Sequence, residues 1–128
     1  MNNKILIADD EANIVLSLEY LMQREGFDVK VARDGEQALK LIEQDNPDLV
    51  LLDAMMPKKS GFEILQLVRE ERPRMKIIML TAKGRDTDIE KGRALGADDY
   101  VVKPFSTREL VDRVHALLAG PSEDESER

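Results

Sequence analysis

The sequence predicts one doubly wound α/β domain, a five-stranded parallel sheet with five helices packed on its two faces. Two observations point there: short, unbroken apolar runs recur along the chain, and stretches with helical spacing separate them. Strict alternation of strands and helices with short connections gives βαβ units, whose right-handed crossovers place helices on both sides of one sheet.

The elements follow in order. Ile5 to Ala8 is the first apolar run, and Ile14, Leu18, Leu21 and Met22 form the first helical stripe, closed by Gly26. Phe27 to Val31 alternates apolar and polar residues, as an edge strand with one solvated face does. Ala38, Leu39, Leu41 and Ile42 mark the second helix, and Pro47 precedes the third strand, Leu49 to Leu52. Phe62, Ile64, Leu65 and Val68 mark the third helix, stopped at Pro73 ahead of the fourth strand, Ile77 to Leu80. A weaker stripe of Ile89, Ala94 and Leu95 ends at Gly96, Tyr100 to Val102 is the last continuous run, read as a buried fifth strand, and Leu110, Val111, Val114, Leu117 and Leu118 form the last helix. The expected organisation is a domain over residues 1–119 and an acidic, disordered tail over 120–128, with no output domain after it.

Composition narrows the function. A net charge of -7 with 19 scattered basic residues argues against direct nucleic-acid binding. With no cysteine, disulfides and thiolate metal sites are excluded. The opening MNNKILIADDE fits neither a signal peptide nor a membrane span, so a cytoplasmic protein without membrane attachment is expected.

In the flavodoxin-like order 2-1-3-4-5, the ligand crevice lies beyond the carboxyl ends of the strands, beside the switch between strands 1 and 3. That edge gathers Asp9, Asp10, Asp53, Thr81 and Lys103. Converging carboxylates repel one another unless a cation sits among them, and an all-oxygen set suits Mg2+. Asp53 can then attack phosphorus as a nucleophile, with Lys103 and Thr81 neutralising and hydrogen-bonding the phosphoryl oxygens. Ala82, small and next to Thr81, leaves room for the donor.

Each residue also has a plainer reading. Asp9, Asp10 and Glu11 could serve the start of a helix, Asp53 a turn, Thr81 a strand end and Lys103 a solvated loop. Met55 and Met56 read as packing residues, His115 as a surface residue, and Lys58-Lys59 and Arg69-Glu70-Glu71-Arg72 as solvated faces. Convergence at one edge favours the chemical reading of the acids. A flavin carrier of the same fold would need a hydroxyl- and glycine-rich loop where this chain has Asp-Asp-Glu. An aspartyl phosphatase would need Asp-x-Asp after strand 1.

The motifs I-L-I-A-D-D-E, L-V-L-L-D-A-M-M-P-K-K-S-G, M-L-T-A and G-A-D-D-Y-V-V-K-P-F, in this order and spacing, resemble the response-regulator receiver family of two-component signalling. The likeness runs from about Lys4 to Leu118, and the strand 5 segment is most similar to receivers of winged-helix transcription regulators. The resemblance implies Asp10 and Asp53 as direct Mg2+ ligands, Asp9 as a water-mediated one and the Met55 carbonyl as a third protein ligand. It implies phosphorylation of Asp53 by a sensor histidine kinase or phosphotransfer protein, and self-catalysed gain and loss of the group. Lys103 would pair with the phosphate, while Thr81 and Tyr100 move together as a switch. Met55 and Lys83 would influence the lifetime of the modified state, and the Lys103-Pro104 bond would be cis. Helix 4, strand 5 and helix 5 would form the face that controls a downstream partner or output domain. A homodimer through that face could use Asp99, Glu109 and Arg113, although Ile89 stands where those relatives often carry a basic residue.

Overall fold

Each apolar run becomes a strand in a computed structural model that describes residues 3–82 and 85–119. The strands are β1 (Lys4–Ala8), β2 (Asp28–Ala32), β3 (Leu49–Asp53), β4 (Lys76–Ala82) and β5 (Asp99–Lys103). The helices between and after them are α1 (Ala12–Arg24), α2 (Gly35–Asp45), α3 (Gly61–Glu71), α4 (Asp86–Leu95) and α5 (Thr107–Ala119). All strand pairs are parallel, in the order β2-β1-β3-β4-β5. The tail expected over 120–128 lies outside the described residues.

Side-chain alternation splits the core into two layers. Leu6, Val50, Leu52, Ile77 and Met79 face α2 and α3, where Ala38, Ile42, Ile64, Leu65 and Val68 meet them. Ile5, Ile7, Leu49, Leu51, Ile78 and Leu80 face α1 and α5, against Val15, Leu18, Met22, Leu110 and Val114. Burying each of the Val, Leu, Ile and Met side chains among them stabilises the fold by about 1.5–3 kcal/mol. β3, central and covered on both faces, has all five residues buried.

β5 departs from the expectation of a fully buried run. It is an edge strand in which Val101 alone is buried and Val102 is 39% exposed. Its neighbour α4 forms where expected but with a different contact face. Ala94 is exposed, and the one buried residue is Gly92, which lies against Met79 and the Tyr100 ring.

Local polar chemistry sets the helix starts. Asp34 caps α2 by accepting the Gln37 N–H at 2.8 Å. α3 opens on a reciprocal capping box, Ser60 Oγ accepting the Glu63 N–H at 3.3 Å and Glu63 Oε1 accepting the Ser60 N–H at 3.0 Å. Gly96, at φ 101°, ends α4 in the left-handed conformation that glycine adopts without strain. His115 is half-exposed, as expected of a surface residue, with Nε2 2.8 Å from Glu25 Oε1 and its ring tilted against Phe27.

Arg69 corrects the reading of residues 69–72 as a solvated face. Its side chain is 16% exposed, donates to the carbonyls of Gly96 at 2.8 Å and Met75 at 2.6 Å, and pairs with Asp98 Oδ2 at 2.6 Å. Asp98 in turn accepts the Ile77 N–H at 2.8 Å. One arginine therefore ties α3 to the start of β4 and to the turn before β5. Arg69→Ala is expected to cost about 2–4 kcal/mol in urea unfolding, because it strands these acceptors and the Asp98 charge.

Candidate functional site

The functional edge is made by register. Ala8 pairs with Leu52 across β1 and β3, so the residues that follow, Asp9 and Asp53, emerge side by side at the carboxyl ends. Asp9 is 0% exposed and Asp53 6%, whereas Asp10 is exposed. One carboxylate oxygen from each of Asp9, Asp10 and Asp53 lies within 4.8 Å of the others. The acids do not serve α1 as side-chain caps: Glu11 is its N-cap residue without a capping bond, and Asp9 Oδ1 accepts the Glu11 N–H at 2.9 Å. Asp53 does make the expected turn contact, Oδ1 accepting the Met55 N–H at 3.2 Å, while its other oxygen is left to the crevice.

Lys103 arrives from β5. Its ammonium lies 2.9 Å from Asp9 Oδ2, 2.8 Å from Glu11 Oε1 and 3.6 Å from Asp53 Oδ2, and its side chain is 14% exposed. The approach to Asp9 is an ion pair at an angle outside hydrogen-bond geometry, so Asp9 Oδ2 is buried without a donor. Thr81 Oγ1 is likewise buried and unpartnered. The Lys103-Pro104 bond is cis.

Burial pushes the Asp53 carboxyl up to about 7, with the Asp9 charge adding to the rise and Lys103 and the Met55 N–H opposing it. Burial also acts to lower Lys103, but the hydrogen bond to Glu11, the close Asp9 carboxylate and the Asp53 charge outweigh it and hold the ammonium above its ordinary range. The pattern is a frustrated cluster: more carboxylate than one lysine neutralises, in a site where solvation is poor.

Tyr100 is half-buried and stands opposite Met79 in the sheet, while Thr81 stands opposite Val102. Its hydroxyl accepts from Arg93 Nε at 3.2 Å, and the Arg93 guanidinium covers the ring at 5.2 Å. Met55 is 56% exposed, which overturns the packing reading for it, whereas Met56 packs on the core as expected. Lys83 lies outside the described residues. The proposed dimer residues are already paired within the chain, Arg113 to Asp99 at 2.5 Å and to Glu109 at 3.1 Å.

The acids open onto a cavity of about 310 Å³ whose rim includes Met55, Ala82, Arg85 and Asp88. A larger cavity of about 580 Å³ along α5 contains none of the converging acids, so the chemistry selects the smaller one. Sequence reasoning missed Arg85, Asp88 and the Glu11–Lys103 pair. The loop after strand 4 borders the crevice in any doubly wound sheet, which was the available signal for the first two.

Residues 5–115 match the response regulator receiver domain family. The chain is 50% identical over 118 residues to the alkaline phosphatase synthesis transcriptional regulatory protein PhoP of Bacillus subtilis, covering 92% of this chain and 49% of that protein. It is 51% identical over 116 residues to the transcriptional regulatory protein CpxR of Escherichia coli, covering 91% of this chain and 49% of that protein. The chain thus spans about half the length of the curated relatives it matches. The CheY-like response regulator receiver domain protein of Methanospirillum hungatei superposes with a TM-score of 0.91 at 30% identity, covering 98% of this chain and all of that one. Fold, strand order and sequence agree, and this chain belongs to the response regulator receiver domain family.

Proposed function

We propose that this receiver accepts a phosphoryl group from a histidine kinase phosphohistidine onto Asp53, in a reaction that needs Mg2+. The observation that carries the reading is the buried Asp53 carboxylate lying between Asp9, Asp10 and the Lys103 ammonium.

The residues fit the ion. Every side chain offered is a hard oxygen donor, and Asp9 Oδ2 is buried without a hydrogen-bond donor. Asp10 and Asp53 would hold it directly, Asp9 through water, and Met55 through its carbonyl. What the ion supplies when bound is neutralisation of the acids and of the phosphoryl oxygens.

The rest falls to the chain's own groups. A bond forms between an Asp53 carboxylate oxygen and phosphorus, the phosphorus–nitrogen bond to the donor imidazole breaks, and the imidazole keeps that electron pair and takes up a proton. Lys103 exchanges its contact with Glu11 for a phosphoryl oxygen. Thr81 Oγ1, without a partner in this state, donates to another. Drawing Thr81 toward the phosphoryl vacates the space into which Tyr100 turns, releasing the hydroxyl from Arg93 and altering the face of α4, β5 and α5. That face controls a downstream partner or output domain, as in winged-helix transcription regulators. A homodimer through it would require Arg113 to exchange Asp99 or Glu109 for partner acids. The functional domain spans 1–119 with 120–128 as its tail, and it works in the cytoplasm. Among the described residues no helix is long and apolar enough to cross a membrane.

Intact-mass spectrometry after incubation with acetyl phosphate and Mg2+ tests this. The protein should gain the mass of one phosphoryl group, and none when EDTA is present; equal gain with and without EDTA, or no gain in either, defeats the reading.

A further inference from the structure

The crevice holds a second cation that the acceptor chemistry above does not use. Arg85, the N-cap residue of α4, lines the same cavity as Asp53 and Lys103. Its guanidinium rests on Asp88 in the first turn of α4, Nε 3.1 Å from Oδ2 and Nη2 3.4 Å from Oδ1. The arginine side chain is 49% exposed, and the aspartate only 11%. A guanidinium has five N–H donors in a fork suited to phosphate, and these contacts engage a minority of them.

The charges in the cavity say when that capacity matters. Asp10, Glu11, Asp53 and Asp88 line it with Lys103 and Arg85 as the only cations among the described residues, and Asp9 is buried beside Asp53. Phosphorylation exchanges the single charge of Asp53 for roughly -1.5 to -2 and adds oxygen acceptors. Lys103 already faces three carboxylates. Asp88 has another source of support when its partner leaves, because it sits at the N-terminus of α4, where the helix dipole favours an anion.

We propose that Arg85 is a phosphoryl-binding residue of this receiver, stored on Asp88 while Asp53 is unmodified and transferred to the phosphoryl oxygens afterwards. The proposal rests on Asp53 being the acceptor. It makes Asp88 a competitor for the same cation, so the two residues act in opposite directions. It also links occupancy of the acceptor to the first turn of α4, the helix that holds Tyr100 through Arg93.

The test uses beryllofluoride, a tetrahedral stand-in for the aspartyl phosphate, titrated in the presence of Mg2+ and followed by fluorine NMR. Arg85→Ala should weaken its binding about fivefold and shorten the phosphorylated half-life by a similar factor, as expected for one partly exposed charged contact. Arg85→Lys should recover part of the loss, and Asp88→Asn should strengthen binding. Mg2+ affinity measured alone by calorimetry should not weaken in Arg85→Ala. Wild-type affinity in Arg85→Ala overturns the proposal, and so does weakening in Asp88→Asn that parallels Arg85→Ala, since the pair would then only order α4. A wild-type protein that takes up neither beryllofluoride nor phosphoryl would instead sink the acceptor reading itself.

Discussion

In divalent-free buffer at pH 8, Asp53→Asn should melt above the wild type by about 4–8 °C, and it should take up no phosphoryl group under any condition. Loss of uptake follows because an amide offers no anionic oxygen to phosphorus. The gain in stability follows from the folded-state titration. Asp53 is raised to about 7 in the fold, from an ordinary value of 3.8, chiefly by burial. A raised carboxyl means that the folded protein holds the proton more tightly than the unfolded chain, so stability from this group is complete below pH 3.8 and is lost as pH rises through 7. At pH 8 the wild type therefore carries an unfavourable buried charge that asparagine removes, by about 1–2 kcal/mol once solvent in the cavity is allowed for. The gap should close toward pH 4 and should also close at pH 8 when Mg2+ is added, since the ion binds the ionised wild type and stabilises it. Equal melting temperatures at pH 8 without metal would show that the crevice solvates Asp53 better than its burial implies.

How far these properties were legible in the sequence depended on how many neighbours decide each position. β1, β3 and β4 could be read from composition because central parallel strands are covered on both faces and must be apolar throughout. Tyr100 to Val102 looked the same but lies at an edge, where the cover on one face is the short, polar α4. The α4 contact escaped periodicity because its buried residue is Gly92, which has no side chain to count. Arg69 escaped because a charge run on a helix looks solvated until distant carbonyls at Gly96 and Met75 are brought to it. Asp9, Asp10, Asp53, Thr81 and Lys103 were accessible from the order of the strands alone, since topology carries strand ends to one edge whatever the side chains do. The loop that carries Arg85 and Asp88 could be placed the same way, but the pairing of those two side chains and the reach of Lys103 to Glu11 depend on side-chain conformation, which no spacing encodes.

Gly61→Ala should be severely damaging for a single added methyl, costing about 3 kcal/mol or more in urea unfolding and weakening Mg2+ binding at least tenfold. The reason is close approach rather than backbone freedom. A Cβ at position 61 would stand 2.1 Å from the Asp53 carbonyl oxygen and 2.9 Å from the Ala54 Cα, both main-chain atoms of the acceptor segment. The same glycine donates its N–H to the Ala54 carbonyl at 2.9 Å, so α3 is fastened to the chain it would have to push away. Relief requires either moving α3, whose Phe62, Ile64 and Leu65 are buried in the core, or displacing the backbone that carries Asp53. The second route separates the Asp53 carboxylate from Asp9 and Asp10, which is why metal affinity and stability should fall together. Gly26→Ala is the matching control: its φ of 89° disfavours a side chain, but no atom lies within 4 Å of the added Cβ. It should cost only about 1 kcal/mol and leave Mg2+ binding as it was. If Gly61→Ala instead lost stability with unchanged metal affinity, the strain would have passed into α3, and the position of Asp53 would owe nothing to this contact.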